Sequence, residues 1–402
     1  MKALLAFGLI VLLAYLGSRF LFRWKKRFLP LGYLFLSGVI YIFLGYFLGK
    51  NGLNVLGSRV LEGLKPLISL GLGWVGFLFG FQLEYRNLKK FPRNYIRLSF
   101  FQALSVTAAG TAVLIFLLRA LFPSQPDLML YGMGVMFGIL LSLNSPSLLN
   151  YASSFVAQKG SYYYLARFLV SVSGFWGVTG LALVASFWHF PFSEKMVSMK
   201  GAVFLLASTI LAVLTGYLFH LLSRKKTSEE DLLVYLLGLV FFTSGAATYF
   251  NLPPLYLCMV LGITYSNLSR IQEKLYPLLL STEKPFYIIF LILIGASWEF
   301  DISFSVVLVV LLLLGLRIAG YSLFLLPFGR LFNFSFPLHP LFGLCFISSG
   351  GIAVAFVFSL KLMYDLPLTD VFVSAALMVI VISEFFSPLA LKYALEKLEK
   401  VE

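Results

Sequence analysis

The chain has 402 residues, 60% of them hydrophobic and only 12% charged, with 43 Phe and a mean hydropathy of +0.93. That composition excludes a water-soluble fold with a charged shell and leaves a polytopic membrane protein. The net charge of +14 does not point to nucleic acid, because the lysines and arginines fall between apolar runs instead of along one soluble face.

Apolar runs separated by charged or Gly/Pro-containing breaks predict an all-α membrane protein with about 13 transmembrane helices. The predicted spans are 2–22, 30–48, 64–84, 95–121, 127–151, 161–188, 198–222, 231–250, 253–268, 275–298, 304–326, 338–363 and 367–392. The first run is a full membrane length and is followed by Arg23, Lys25, Lys26 and Arg27. It therefore reads as a retained helix with its N-terminus outside, not a cleaved signal peptide. Later odd loops carry Arg86, Lys89, Lys90, Arg93 and Arg97, then Lys159, Arg224–Lys226, Arg270 with Lys274, and Arg330. Even loops carry Asp127, the near-neutral run from His189 to Lys195, Asn251–Leu252, Glu299 with Asp301, and Asp365. The loop with Lys50, Arg59 and Lys65 is the weak case. The alternation predicts a cell (inner) membrane protein with a cytoplasmic C-terminal tail.

Two spans are interrupted in mid-membrane. Span five reads LLSLNSPSLLNY, with Asn144, Ser145, Pro146 and Ser147 at its middle, and span twelve reads CFISSGGIAVAF, with Ser348, Ser349, Gly350 and Gly351. Seven spans of offset is an odd number, so the two elements run through the membrane in opposite directions, which predicts an inverted repeat. Unpaired backbone groups in hydrocarbon cost several kcal/mol each, so an unwound segment persists only where protein, water or a ligand satisfies it. Paired discontinuous helices of this kind mark substrate sites in secondary transporters.

Several segments, in order, resemble the monovalent cation:proton antiporter superfamily of sodium:proton exchanger and potassium-efflux type. They are LGWVGFLFGFQLEY at 72–85, LSLNSPSLLNY at 141–151, LPPLYLCMVLGITYSN at 252–267, PFYIIFLILIGASWEFD at 285–301 and ISSGGIAVAF at 347–356. The resemblance implies two crossed broken helices in a core that moves against a dimerising scaffold, with cation and proton as substrates. It divides the chain into scaffold helices at 1–94, core half one at 95–190, linker and scaffold at 191–303, core half two at 304–395 and a short tail at 396–402. A nucleotide-binding domain of the potassium-efflux kind is not expected in cis.

The resemblance also places an aspartate in the sixth helix, at the position where this chain has Gly177. Between Asp127 and Glu194 there is no Asp or Glu at all, so spans five and six offer only neutral groups such as Asn144, Ser145, Ser147, Asn150, Ser171, Ser173 and Thr179. Such oxygens solvate an alkali ion but do not titrate near neutral pH. The second half retains Arg317, which resembles the family's intramembrane basic residue, and Glu384, the one acid well inside an apolar span. At 1.5 Å per residue the two lie about 20 and 24 Å from their outer ends, a depth at which they can pair. Two readings stand: a proton-linked element, with the serines and Asn144 holding the ion, or a static ion pair tethering spans eleven and thirteen.

Other polar residues read more simply. Glu84 is interfacial, Arg167 snorkels, Glu283 and Lys284 either neutralise each other or gate the cytoplasmic mouth, and His189, His220 and His339 sit at span ends as interfacial residues or pH sensors. Gly73, Gly76 and Gly80 read as a helix-packing surface. Cys258 and Cys345 lie in apolar segments without ligand spacing, so neither a disulfide nor a metal or other cofactor is expected, and no enzyme motif occurs. A cation:proton antiporter with retained or altered coupling, an anionic or neutral solute carrier on the same architecture, and a non-transporting membrane subunit remain as alternatives.

Overall fold

The computed structural model describes residues 8–15, 33, 37–152, 160–187, 199–223, 229–269, 272–300, 302–332, 334, 338–364 and 367–398. The loop charges at 23–27, 159, 224–226, 270, 301 and 365, with His189 and Glu194, lie outside them, as do the side chains of Glu283 and Lys284. The helices are α1 (Val39–Leu48), α2 (Ser58–Gln82), α3 (Arg93–Leu121), α4 (Asp127–Ser142), α5 (Pro146–Ala152), α6 (Ser161–Phe187) and α7 (Met199–Ser223). They continue with α8 (Glu229–Tyr249), α9 (Pro254–Leu268), α10 (Gln272–Ala296), α11 (Phe304–Leu331), a 3-10 helix (Pro340–Phe346), α12 (Gly350–Met363) and α13 (Pro367–Leu398). Among the described residues the only β pairing is a single bridge between Gly49 and Leu56.

Eight of these helical segments are long and apolar enough to cross a membrane, or nine if the 3-10 helix and α12 form one bent span. Val39–Leu48, Pro254–Leu268 and Pro285–Ala296 are shorter apolar stretches. Local chemistry accounts for several boundaries. Pro126 precedes α4, whose first turn holds Asp127 against the positive helix end. Pro254 opens α9, where its missing N–H has no partner to lose. Predicted span two is interrupted by Gly38 at φ 78, so α1 starts only at Val39. Helix α13 runs to Leu398, past the predicted end at 392, because Lys392 and Glu396 stack one turn apart at 3.8 Å and carry the helix into the polar region.

Packing sorts the helices by how enclosed they are. Asp127–Tyr151, which spans α4 and α5, is 83% buried, whereas Phe304–Leu331 and Arg93–Leu121 are 33% buried, so the interrupted span sits at the centre and its neighbours face outward. Large apolar side chains such as Phe116 and Tyr249 stand exposed on the perimeter, as lipid contact requires. Helix α2 lies along α9 with α8 beside them, and α1 lies along α10. A second set joins α3 to α4, α6 and α11, and joins α13 to α11, α12 and the 3-10 helix. The contact of α2 with α9 is backbone to backbone. A Cβ on Gly76 or Gly80 would overlap the Leu255 or Met259 carbonyl, which is the packing role read from their spacing.

Candidate functional site

The two interruptions meet. Helix α4 ends at Ser142, Leu143 turns extended at ψ 128, and Pro146 starts α5, since its ring denies an N–H to the preceding turn and keeps Ser145 out of the helical region. In the other span the 3-10 helix stops at Phe346 and α12 restarts at Gly350, with a bend of 62°. The Ser145 amide donates to the Ser348 carbonyl at 3.1 Å, tying one unwound segment to the other. Gly350 adopts φ 65 there, and a Cβ on it would overlap the Ser145 side chain, so both the turn and the approach require glycine.

Arg317 satisfies the carbonyl side of this crossing. The residue is 1% exposed, and its Nε donates to the Ile347 carbonyl at 2.7 Å while Nη2 donates to the carbonyls of Leu143 and of Ser348, the latter at 3.2 Å. Nη2 also reaches Asn144 Oδ1 at 3.3 Å. One helical turn further, the Tyr321 hydroxyl donates to the Ser142 carbonyl at 3.0 Å and accepts from Asn144 Nδ2 at 2.7 Å. A positive charge thus lies against the negative ends of α4 and the 3-10 helix, where helix dipoles and charge-assisted bonds both favour it.

Glu384 occupies the opposite pole. It is fully buried, and its Oε1 accepts from Ser348 Oγ at 2.8 Å and from the amides of Ser349 and Gly350 at 3.0 and 2.7 Å. A carboxylate therefore caps the positive end of α12. Its Oε2 is buried without a hydrogen-bond partner, as is the nearby Ser145 Oγ. No ion pair joins Glu384 to Arg317 among the described residues. The backbone from Ile347 to Gly350 is bound by Arg317 through its carbonyls and by Glu384 through its amides. Their depth allows the two charges to pair; in the structure each is met by the end of a broken helix.

No protein-family model and no curated protein sequence matches the chain. The structure of the sodium proton antiporter MjNhaP1 from Methanocaldococcus jannaschii at pH 8 matches it with TM-score 0.68 at 15% identity, over 98% of this chain and 99% of that one. The chain has the sodium proton antiporter fold. A second structure of the same antiporter, from an electron-microscopy map, agrees at TM-score 0.65 and 13% identity over 97% and 96% of the two chains.

Within the antiporter fold, Gly177 of α6 faces the first interruption: a Cβ on it would overlap Leu143 Cδ2, and Leu143 is the residue whose carbonyl Arg317 holds. The position at which the resemblance expects an aspartate is thus at the crossing, but a leucine fills the space. Gly177→Asp alone is expected to lower stability by about 1–3 kcal/mol through overpacking. Combined with Leu143→Ala it should be more stable than the sum of the two single changes. Thermal melting of the four proteins in detergent measures that coupling; strict additivity would show that the residues do not share the space.

The structure brings Asn144, Ser145, Ser348, Ser349, Gly350, Arg317 and Glu384 together. Ser173 stands somewhat apart, in a narrow polar cleft with Ser99, Gln102, Ser142, Asn144 and Tyr321. Pro146 is half-buried and Ser147 is exposed, while Gly351 packs against the Tyr287 hydroxyl. Thr179 lies further along α6, half-buried with its Oγ1 unpartnered. Asn144, expected among the ion ligands, is committed to Arg317, Tyr321 and the Ser142 carbonyl. Glu84 accepts from Asn87 at 2.9 Å and lies 4.0 Å from Arg86, Arg167 is exposed, and His339 Nδ1 accepts from the Leu341 amide at 3.2 Å. His339 thereby caps the 3-10 helix. Tyr321, Tyr33, whose hydroxyl lies 3.0 Å from Ser348 Oγ, and Ser383, whose hydroxyl lies 3.4 Å from Ser349 Oγ, are not singled out by the sequence. Tyr321 was detectable, being four residues after Arg317 on the same helical face.

Proposed function

We propose that the chain is a secondary transporter that exchanges a monovalent cation, Na+ or K+, for a proton by alternating access, with Glu384 as the group that holds one or the other. The observation that carries this reading is the buried, unpartnered Oε2 of Glu384 at the crossing of two interrupted helices. A carboxylate that binds a proton on one side of the membrane and releases it when the cation arrives balances the exchange at a single oxygen. The likeness to a structure described as that of a sodium proton antiporter supports the same reading.

In this proposal α3 to α6 with α11, the 3-10 helix, α12 and α13 form the core, at 95–190 and 304–395. The helices at 1–94 and 191–303 form a scaffold through which two copies pair in the bilayer. The two halves of the core form an inverted repeat, the N-terminus lies outside and the C-terminus faces the cytoplasm. Arg317 supports a cation over an anionic solute, because its Nε and Nη2 are directed at carbonyls and Asn144 and not at a vacant anion position.

The test is flux in proteoliposomes containing a pH-sensitive dye. A Na+ or K+ gradient is expected to drive proton movement, and gradients of carboxylates are not. Carboxylate flux without cation-driven proton movement would overturn the proposal in favour of an anion carrier. Absence of any flux would favour a non-transporting subunit.

A further inference from the structure

Tyr33 is not among the residues that any motif singles out, yet it is fully buried at the crossing. Its hydroxyl lies 3.0 Å from Ser348 Oγ, which itself donates to Glu384 at 2.8 Å, and Ser145 Oγ lies against Gly350, whose amide donates to the same carboxylate at 2.7 Å. Its ring packs on Tyr151 with centroids 5.5 Å apart, which fixes where the hydroxyl points. Three oxygens therefore converge on the α13 side of the crossing. Two of them, Glu384 Oε2 and Ser145 Oγ, are buried without partners. Buried polar atoms are satisfied in the great majority of proteins, and a pair left open beside a third hydroxyl marks a place for an occupant.

We propose that Glu384 Oε2, Ser145 Oγ and the Tyr33 hydroxyl are joint ligands of one monovalent cation, on the Glu384 side of the crossing and not beside Gly177. The inference rests on Glu384 as the exchanging carboxylate and adds to it the ligand set. Oxygen donors suit an alkali ion, and one carboxylate neutralises one monovalent charge. A divalent ion would leave an uncompensated positive charge in the membrane interior near Arg317. No cluster of three His, Cys, Asp or Glu that could hold a transition metal occurs among the described residues. The ligands come from separate parts of the chain. Ser145 and Glu384 belong to the interrupted helices and α13, whereas Tyr33 sits on the segment leading to Ser37, whose carbonyl accepts from Tyr287 of α10 at 3.3 Å. Ion binding therefore joins the crossing to the N-terminal segment.

The experiment is thermal melting of the purified full chain in detergent, titrated with NaCl or KCl against choline chloride at constant ionic strength. The wild type is expected to show saturable stabilisation by one of the two cations. Tyr33→Phe, which keeps the ring, should raise the half-saturating concentration about tenfold, as should Ser145→Ala, and Glu384→Gln should abolish saturation. A Tyr33→Phe protein with a lower melting point in choline but an unshifted half-saturating concentration would overturn the assignment and leave Tyr33 a structural role. Should Tyr33→Phe not fold, an unshifted Ser145→Ala titration would overturn it equally. Absence of saturable stabilisation in the wild type would overturn the site itself. Saturable binding without proton-linked flux in proteoliposomes would instead overturn the transport reading and leave the site standing.

Discussion

Glu384→Gln is expected to abolish cation-driven proton movement in proteoliposomes while leaving the protein folded. The amide is nearly isosteric, and its oxygen can still accept from Ser348 Oγ and from the Ser349 and Gly350 amides that bind Oε1 in the wild type. The cap on α12 therefore survives in weakened form, at a cost of about 1–2 kcal/mol for exchanging charge-assisted for neutral hydrogen bonds. What the amide cannot do is carry the proton or balance a cation. Loss of flux with a small shift in melting temperature is the signature of that separation. A Glu384→Gln protein that retains full pH-dependent exchange would refute the role of the carboxylate, and loss of fold would place Glu384 in the architecture instead.

Removing Arg317 has the larger structural effect. In Arg317→Leu the carbonyls of Leu143 and Ile347 and the Asn144 Oδ1 lose the Arg317 donor together, and the Ser348 carbonyl keeps only the Ser145 amide. Glu384 at the same time loses an opposite charge that acts on it electrostatically. Each buried acceptor left without a donor costs about 1–3 kcal/mol, and the membrane interior offers no water to replace it. Arg317→Lys retains the charge but has a single ammonium that cannot serve carbonyls on both interruptions, so an intermediate loss is expected. Melting of the three proteins in detergent, ordered wild type, Lys, Leu, is the expected result. An Arg317→Leu protein as stable as wild type would show that the crossing is held by other contacts.

Much of the architecture was readable from residue order. Long apolar runs cannot be soluble helices of a small domain, and the location of Pro146 and of the Ser349–Gly350 pair in mid-run announces interruptions, because a proline or a glycine in the left-handed region breaks the same ladder in any context. Arg317 and Glu384 were equally legible, since intramembrane charges are rare and need partners. The partners themselves were not. Depth along two helices suggested that the two charges meet, but depth says nothing about azimuth, and the unwound backbone from Ile347 to Gly350 takes up both charges. For the same reason the hydrogen bonds of Asn144 were not legible: those to Arg317 and Tyr321 come from residues more than 170 positions away.

Composition and periodicity alone determined that this is an all-helical membrane chain with two interrupted helices, two interior charges and no acid between Asp127 and Glu194, because each of these is a property of local sequence. Tertiary structure alone decided which end of which broken helix each charge faces, that Leu143 fills the space beside Gly177, and that Tyr33 reaches the same few ångströms as Ser145 and Glu384. Those are relations between residues 30 to 315 positions apart. They follow from how helices rotate and pack against one another, which no pattern within a single span encodes.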